Sequence, residues 1–306
     1  MPSPSYVGSG AYCYTNCLAM ALSAAEPGIG FDTRLIETCT GSPFGFCLED
    51  GMPMFSPADW NPDIGVDQAL RLLGWEASRR HFTDLGSATD ELRTALISGP
   101  VVIGPVDMGG LRHHPDSDSQ SEVDHFVLAI DVTHTDMVFH DPRGYPWSRL
   151  PIGIFGEAWR AEGVSYCVDS YVMRSDFHRT SDVSEAESLN ALLPLAADLA
   201  GRESANEYRA FADVIRDGLT PEQRGFLVWF SLPVAARRRD DASTVLRTVP
   251  AYEPFADLLY KQAQLCGLLQ YPAVRGDDVV LADGFGRLAD LHEAMTDVLF
   301  TLIPRC

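Results

Sequence analysis

The amino-acid sequence predicts an α+β fold, in which a helix packs on an antiparallel sheet, followed by an all-helical C-terminal domain. Two observations support this prediction. Up to about residue 178, helical patterns alternate with short apolar runs that are bounded by Gly, Pro or polar residues, as strands are. Beyond that point the apolar residues recur only at helical spacing. We therefore assign residues 1–178 to a mixed domain and residues 179–306 to a helical domain.

Helices and strands of the mixed domain are delimited by their periodicity and by the residues that break it. An irregular stretch rich in Gly and aromatic residues spans 42–60. The predicted helices lie near 14–25, 65–73 and 88–97, and the predicted strands near 100–106, 126–131, 136–140 and 165–173. Only a short polar turn separates the strands at 126–131 and 136–140, so these two should form a hairpin.

The helical domain follows a polar link over 176–184. Ser184 opens a capping box with Glu187, and Thr220 precedes a proline at the first helical position, so both mark helix starts. The expected helices lie near 185–200, 204–217, 221–236, 252–270 and 284–302. The run Arg237–Arg239 should mark an exposed helix end, where it either pairs with nearby acidic residues or provides a docking patch for an acidic carrier protein.

Cys13 begins the first predicted helix, which continues into the apolar run Cys17–Leu22. Unpaired N–H groups and the helix dipole stabilise a thiolate at this end of a helix. A cysteine nucleophile also needs an imidazole within hydrogen-bond reach and a third group that orients the imidazole. His125 begins one strand of the predicted hairpin and Asp141 ends the other, so the hairpin brings them together. The sequence therefore predicts a Cys-His-Asp site for acyl transfer.

Each of these residues also has a purely structural interpretation. A cysteine on an apolar helix is ordinarily a small buried side chain, and we expect this for Cys17 while Cys13 is the nucleophile. The alternatives for His125 and Asp141 are a hydrogen-bonded core histidine and a turn residue that ends a strand. The three residues together favour the catalytic interpretation.

Other histidines are rivals for the base, and a zinc site is the main chemical alternative. His140 is one rival; His113 and His114 are the others, but they lie in a polar loop where surface exposure is expected. The chain has no Cys-x-x-Cys and no His-Glu-x-x-His spacing, and no glycine-rich phosphate loop. We therefore predict no metal and no cofactor, and disfavour a zinc set made of Cys13, Cys17, His113 and His125.

The candidate residues resemble those of two groups of papain-like cysteine enzymes. Cys13 and Leu18-Ala19-Met20 match in register the nucleophile helix of the peptidases that remove leader peptides from bacteriocins. His125-Phe126-Val127, followed by Asp141-Pro142, resembles the later motif of the same peptidases. In overall layout, residues 6–175 resemble the butirosin-biosynthesis acyltransferase family, which has a related N-terminal domain followed by a helical region. The resemblance implies that residues 1–178 form a papain-like catalytic domain.

These resemblances imply different reactions. The butirosin-type resemblance implies an acyltransferase that moves an acyl group from a carrier-protein thioester, or from an amide, to an amine in secondary metabolism. The bacteriocin-type resemblance implies a cysteine peptidase or amidase that hydrolyses a peptide or a small amide. We favour transfer over hydrolysis. The third alternative is an inactive binding module on the same fold.

The inactive alternative is considered because one usual hydrogen-bond donor of the oxyanion hole is missing. Papain-like enzymes usually carry a Gln six residues before the nucleophile, and Val7 occupies that place here. The backbone N–H of the nucleophile still serves as one donor, with Ser9, Tyr12 or Asn16 as candidate second donors. Losing one such donor typically costs about 2.7–4 kcal/mol of transition-state stabilisation.

The formal net charge of −20 disfavours nucleic acid and anionic membrane surfaces as partners and favours cationic ones. Acidic residues concentrate in the loop from Asp107 to Asp124, just ahead of His125. This loop is either a solvated surface or a gate that attracts a small amine acceptor. On the second interpretation Asp107 and Asp124 bind substrate, and an acyl carrier protein is the other expected partner.

Cysteine usage and the N-terminus predict a cytoplasmic location. The seven cysteines are odd in number and scattered, which is typical of a reducing compartment. The first residues have neither the basic start nor the apolar stretch of a signal peptide. No apolar run approaches the ~18 residues that a membrane span needs.

Overall fold

A computed structural model of the protein describes residues 4–8, 12–201 and 203–303. The chain divides by its contacts into two compact units. The first unit comprises Met1–Ile36, Asn61–Val66 and Gly74–Asp182, and the second comprises Glu37–Trp60, Asp67–Leu73 and Val183–Cys306. The predicted boundary at 178/179 treats each domain as one continuous stretch, whereas the second unit also takes two segments from the N-terminal half.

The N-terminal half is a mixture of helices and antiparallel strands, as predicted. Its helices are α1 (Cys13–Ala25), α2 (Thr33–Cys39), α3 (Pro62–Leu72), α4 (Leu85–Ser98) and α5 (Ile152–Arg160). Its strands are β1 (Cys47–Glu49), β2 (Met52–Met54), β3 (Trp75–Arg80), β4 (Val101–Asp107), β5 (Asp124–Val132), β6 (Asp136–Asp141), β7 (Tyr145–Pro151) and β8 (Met173–Arg179). Strands β1 and β2 form a hairpin in the second unit.

The first unit is built on a six-stranded antiparallel sheet with strand order β3-β8-β4-β5-β6-β7. Phe126 of β5 contacts Tyr14 of α1 edge-on, with 6.0 Å between the ring centroids. The next residue, Val127, belongs to a buried cluster with residues of α4 and α5. Because consecutive residues of a strand point to opposite faces, α1 covers one face of the sheet and α4 and α5 cover the other.

The predicted hairpin is confirmed. Strands β5 and β6 pair antiparallel, with Leu128 opposite His140 and Ala129 opposite Phe139. The turn between them is held by Thr133, whose backbone N–H donates to the carbonyl of Asp136 at 2.8 Å.

The strand predicted near 165–173 is wrong, because the chain enters the sheet only at Met173. Tyr171 has a φ of 53°, in the left-handed region, and so cannot continue an extended strand. Residues 176–179, which the sequence suggested as a polar link, belong to β8 instead. Asp176 is tolerated in this strand because its carboxylate accepts a hydrogen bond from Arg80 at 2.9 Å.

The C-terminal half is wholly helical among the described residues, as predicted. Its helices are α6 (Glu185–Ala200), α7 (Ser204–Asp217), α8 (Pro221–Phe226), α9 (Leu232–Leu246), α10 (Glu253–Arg275) and α11 (Asp278–Leu302), with a π-helical turn between α8 and α9. Both predicted helix starts are confirmed, since Ser184 and Thr220 each form a complete capping box. None of the described helices combines the length and apolarity that would let it cross a membrane.

An aromatic core explains why the segment 37–60 joins the helical unit. Phe46 stacks on Tyr208 of α7 with ring centroids 4.1 Å apart, and it also contacts Phe55 and Phe285. All four side chains are buried. The glycine- and aromatic-rich stretch that looked irregular in the sequence therefore supplies core residues of the second unit.

The run Arg237–Arg239 is not an exposed helix end, because α9 continues past it to Leu246. Arg238 is buried and donates to the buried carboxylate of Glu37 at 2.9 Å. Arg239 is fully buried and donates to the hydroxyl of Tyr208 at 2.9 Å. The predicted docking patch is therefore absent from this run, since two of its three guanidinium groups lie in the core.

We predict that Glu37→Ala destabilises the protein by about 3–5 kcal/mol, because it leaves the buried Arg238 charge without its carboxylate. The matched control is Asp213→Ala, which removes a carboxylate paired with Arg216 on the surface and should cost less than about 1 kcal/mol. Urea unfolding followed by circular dichroism measures both losses. Equal losses in the two variants would contradict this account of the core.

Candidate active site

Cys13 is the first residue of α1. Tyr12 precedes it with a φ of 65° and a ψ of 47°, so the backbone turns sharply into the helix at this point. The carbonyl of Tyr12 accepts the hydrogen bond from the N–H of Asn16 at 2.8 Å. Cys13 is partly exposed, whereas Cys17, one turn further, is fully buried. Burial, reinforced by the charges of Cys13 and Asp141, raises the pKa of Cys17 well above its ordinary value, so that it stays a thiol.

His125 lies between Cys13 and Asp141. Its Nε2 is 2.8 Å from Oδ1 of Asp141, and it also shares a hydrogen bond with the Cys13 thiol. Because Nε2 faces the carboxylate, the bond to Cys13 falls to Nδ1. Burial alone would lower the pKa of His125, but the charges of Asp141 and Cys13 outweigh it and raise this pKa to about 10. The structure thus brings the three predicted catalytic residues together.

The carboxylate of Asp141 accepts four hydrogen bonds. Oδ1 accepts from Nε2 of His125 and from the backbone N–H of Arg143, both at 2.8 Å. Oδ2 accepts from Nε2 of His113 at 2.9 Å and from Nε2 of His114 at 2.7 Å. Burial would raise the pKa of Asp141, but the positive charge on His125 and these hydrogen bonds hold it well below its ordinary value. Asp141 is therefore a buried, ionised partner for His125.

The expectation that His113 and His114 are exposed is wrong. The side chain of His114 is completely buried and that of His113 is only 11% exposed. Exposure was inferred from the polar residues around them, yet the loop folds back so that both rings reach Asp141. One signal was available in the sequence: two adjacent histidines lie between two predicted strands, in the loop that leads to His125.

Asp107, a predicted substrate-binding residue, also shapes this loop. Its Oδ1 accepts from the backbone N–H groups of Gly109 at 2.8 Å and of Glu122 at 3.1 Å. Gly110 lets the loop lie directly against α5, because a Cβ there would stand 2.7 Å from the Cα of Ala158. Asp107 thereby ties together both ends of the loop that carries the two histidines.

Asp124, the other predicted substrate-binding residue, lies half-buried at the start of β5. Its Oδ2 accepts from the hydroxyl of Tyr166 at 3.0 Å. Burial, followed by the charges of Asp124 and Cys13, raises the pKa of Tyr166 well above its ordinary value. The sequence offered no signal for Tyr166, since the segment was read as a strand.

The N-terminal segment also reaches this region. The hydroxyl of Tyr6 donates to the backbone carbonyl of Asp141 at 3.0 Å and accepts from the N–H of Gly144 at 2.9 Å. His140, one of the rival bases, is engaged by the backbone: Nε2 lies 3.2 Å from the carbonyl of Pro4, and Nδ1 accepts from the N–H of Trp147 at 3.1 Å. Neither nitrogen of His140 is left for acid–base chemistry.

The structure describes two of the three candidate donors for the oxyanion hole. Tyr12 and Asn16 are both buried, at the start of α1 and within its first turns. Ser9 lies outside the described residues. Val7, in the place of the usual Gln, is partly exposed and offers no side-chain donor.

His113, His114 and Asp141 form a cluster whose ligand atoms all lie within 4.8 Å, and within the described ranges it is the one group that could hold a metal ion. A ligating histidine presents a lone pair and gives its other N–H to an acceptor. Nδ1 of His114, however, lies 3.4 Å from the guanidinium Nη1 of Arg143, which can only donate. Nδ1 of His113 is buried with no hydrogen-bond partner among the described residues. Both protons therefore sit on Nε2, which suits hydrogen bonding to Asp141 and not metal binding.

Two comparisons relate the chain to known proteins. Residues 196–300 match the family model described as the YobF C-terminal domain. Over 302 residues the chain is 28% identical to "Uncharacterized protein YobF" of Bacillus subtilis (strain 168), in an alignment that covers 94% of this chain and 95% of that protein. The similarity to this relative therefore extends over both units.

We predict that iodoacetamide alkylates Cys13 much faster than any other cysteine at about pH 7, because the imidazolium of His125 favours its thiolate. Cys47 is the internal control, since it is also partly exposed, but burial and neighbouring acidic groups raise its pKa to about 12. Peptide mass spectrometry over time measures each rate. A Cys13 rate no higher than that of Cys47 would exclude an activated thiol.

We further predict that the stabilising effect of His125 declines in alkaline solution. A folded-state pKa of about 10, above the ordinary ~6.5, gives stability that is complete below about pH 6.5 and is lost as the pH rises through about 10. The free energy of unfolding of the unaltered protein should exceed that of His125→Gln most at about pH 6. The exposed His178→Gln serves as the control, and a difference that grows with pH would show the sign to be wrong.

Proposed function

We propose that this protein is a cysteine-dependent acyltransferase, with Cys13 as nucleophile, His125 as general acid and base, and Asp141 as the group that orients His125. One observation carries the proposal: His125 bonds through one nitrogen to a buried carboxylate and through the other to the thiol at the start of α1. A nucleophile, its base and an orienting third group are the arrangement that covalent acyl transfer needs.

In the first half-reaction, the Cys13 thiolate attacks the carbonyl carbon of a thioester or an amide. The donor's C–S or C–N bond breaks, His125 gives its proton to the departing thiolate or amine, and the acyl group stays on Cys13 as a thioester. In the second half-reaction, an acceptor amine attacks that thioester while the neutral His125 takes the amine proton. An amide leaves and the thiolate–imidazolium pair is restored.

The oxyanion formed in each half-reaction needs hydrogen-bond donors. The start of α1 supplies the backbone N–H of Cys13 and the positive end of the helix dipole. We propose a second donor from Tyr12, Asn16 or Ser9. The two described candidates are close in sequence to the nucleophile and buried beside it.

The first unit supports a papain-like assignment. Its nucleophile begins a helix that packs on an antiparallel sheet, and neighbouring strands of that sheet supply the histidine and the aspartate. That is the papain-like arrangement which the resemblance implies. A thiol-dependent site also suits the reducing cytoplasm, where we propose that the protein works.

We propose an amine as acceptor, because the chain is strongly acidic and Asp124, directly before His125 at the start of β5, carries a half-buried carboxylate. An acyl carrier protein as donor loses its main support, since the guanidinium groups of Arg238 and Arg239 are in the core. Arg79 does not replace them, because it is paired with Asp63 and Asp169. We therefore propose a small thioester or amide as the donor.

Hydrolysis is the second candidate function. The same acyl-enzyme is discharged by water when no amine binds, and the missing arginine patch removes one reason to expect a carrier-bound substrate. A small amide or peptide would then be the substrate. An inactive binding module is the third alternative, which the experiment below also tests.

We predict that a short-chain acyl thioester of N-acetylcysteamine acylates Cys13, and that intact-protein and peptide mass spectrometry detect the adduct. Cys13→Ala should abolish the adduct and leave the circular dichroism spectrum unchanged, because Cys13 is only partly buried. Cys17→Ala, the matched control one turn away, should retain acylation.

The fate of the adduct separates the candidate functions. Faster discharge with a small diamine, with an amide as product, supports transfer; discharge at one rate with and without the diamine supports hydrolysis. No adduct on Cys13 in the folded protein, from either a thioester or an activated amide, would contradict both and leave the binding module.

A further inference from the structure

The second oxygen of Asp141 is occupied by two histidines that the triad mechanism does not use. Nε2 of His113 and Nε2 of His114 lie 2.9 and 2.7 Å from Oδ2. Among the described side chains, only His125 bonds to Oδ1. The two rings are adjacent in sequence and 4.2 Å apart between centroids. They act on one oxygen of one carboxylate, so we call them the histidine pair.

The hydrogen-bond partners of the histidine pair determine where its protons are. Arg143 directs Nη1 at Nδ1 of His114, so that nitrogen must accept and the proton lies on Nε2. Arg143 is itself held by Asp116, whose carboxylate is 2.9 Å from Nη2. Nδ1 of His113 is buried with no partner in the described parts of the chain, so a proton there would be unsatisfied. Both rings therefore donate from Nε2 to Asp141.

Aromatic side chains fix the planes of the two rings. His113 meets Phe139 and Tyr145 edge-on, at centroid distances of 5.1 and 5.3 Å. His114 lies 4.8 Å from the ring of Tyr145. A donor that is held in this way fixes its acceptor, so the carboxylate of Asp141 has one orientation.

We propose that His113 and His114 are positioning residues of the candidate active site, which hold Asp141 so that its Oδ1 alone receives His125. This inference rests on the proposed function. Neither ring touches the reacting atoms in our scheme, and both act through Asp141.

The proposal predicts the effect of removing the two donors. In His113→Leu/His114→Leu, Asp141 keeps His125 and the Arg143 N–H but loses both partners of Oδ2, so the carboxylate can rotate. A misplacement of about 1 Å in a catalytic group can cost about 100-fold in rate. We expect alkylation of Cys13 by iodoacetamide to fall at least about tenfold near pH 7, and to regain an ordinary thiol's rise toward about pH 8.5.

His113→Gln/His114→Gln is the matched control. The amide nitrogen of Gln occupies nearly the position of Nε2 and donates a hydrogen bond, so this variant should keep the Cys13 alkylation rate within about threefold. The rate at Cys47, in the second unit, reports any general change in reagent access. A purely structural role would affect the Leu and Gln variants alike and would not alter the pH profile.

Nitrogen-15 NMR of the unaltered protein tests the same proposal without any disruptive variant. The single ring proton of His113 and that of His114 should lie on Nε2, whereas at about pH 8 His125 should be protonated on both nitrogens. The single His→Gln variants assign the signals. A proton on Nδ1 of either ring of the pair would overturn the proposal, even if the Leu variant failed to fold.

The possible failures are distinguishable. If Cys13 in the unaltered protein is alkylated no faster than Cys47, the proposed function itself is wrong. If Cys13 reacts fast and the Leu variant matches the unaltered protein in rate and pH profile, only the role of the histidine pair is wrong. If the Cys13 alkylation rate falls as much in the Gln variant as in the Leu variant, the rings contribute shape and not hydrogen-bond donors. That result also contradicts the proposal.

Discussion

The buried carboxylate of Asp141 is the group on which the candidate site depends. A charge that is removed from water is tolerated only when hydrogen bonds replace its hydration. Asp141 obtains these hydrogen bonds from His125 in β5, from His114 in the loop after β4 and from the backbone N–H of Arg143 in the turn that follows it. Solvation of this carboxylate therefore fixes the positions of three segments. The backbone carbonyl of the same residue accepts a hydrogen bond from the hydroxyl of Tyr6, which brings the N-terminal segment to the site as a fourth segment. The arrangement of the site follows from the solvation of one ion.

The parts of this arrangement that local patterns specify were predictable. A helix with Cys13 at its head, a hairpin that carries His125 and Asp141, and the capping boxes at Ser184 and Thr220 each depend on residues within a few positions of one another. The histidine pair was not predictable in this way, because polar neighbours made its loop look exposed while its partner is 27 residues or more away. The left-handed Tyr171, which delays the last strand, has no signature in periodicity.

In the second unit the buried charges are positive, and they too require hydrogen-bond partners in place of water. Arg238 bonds to a buried carboxylate, whereas Arg239 donates through Nε to the amide oxygen of Gln262 and through Nη2 to the hydroxyl of Tyr208 and the carbonyl of Gly45. A run of three arginines reads as a surface feature from sequence alone, because charged residues are rarely buried. Its partners come from the segment 37–60 and from α7 and α10, which no local pattern connects. The similarity to the Bacillus relative spans both units, so these contacts lie within the compared sequence.

The bond between Tyr6 and Asp141 has a consequence for the time course of folding. It joins residues 135 positions apart, and closing a loop of that length costs conformational entropy before the hydrogen bond can stabilise the fold. Contacts between residues that are distant in sequence slow folding. The order of synthesis adds to this delay, because a growing chain contains Cys13 long before His125 and Asp141. The hydrogen bond between Cys13 at the start of α1 and His125 in β5 therefore forms only after most of the first unit has been made.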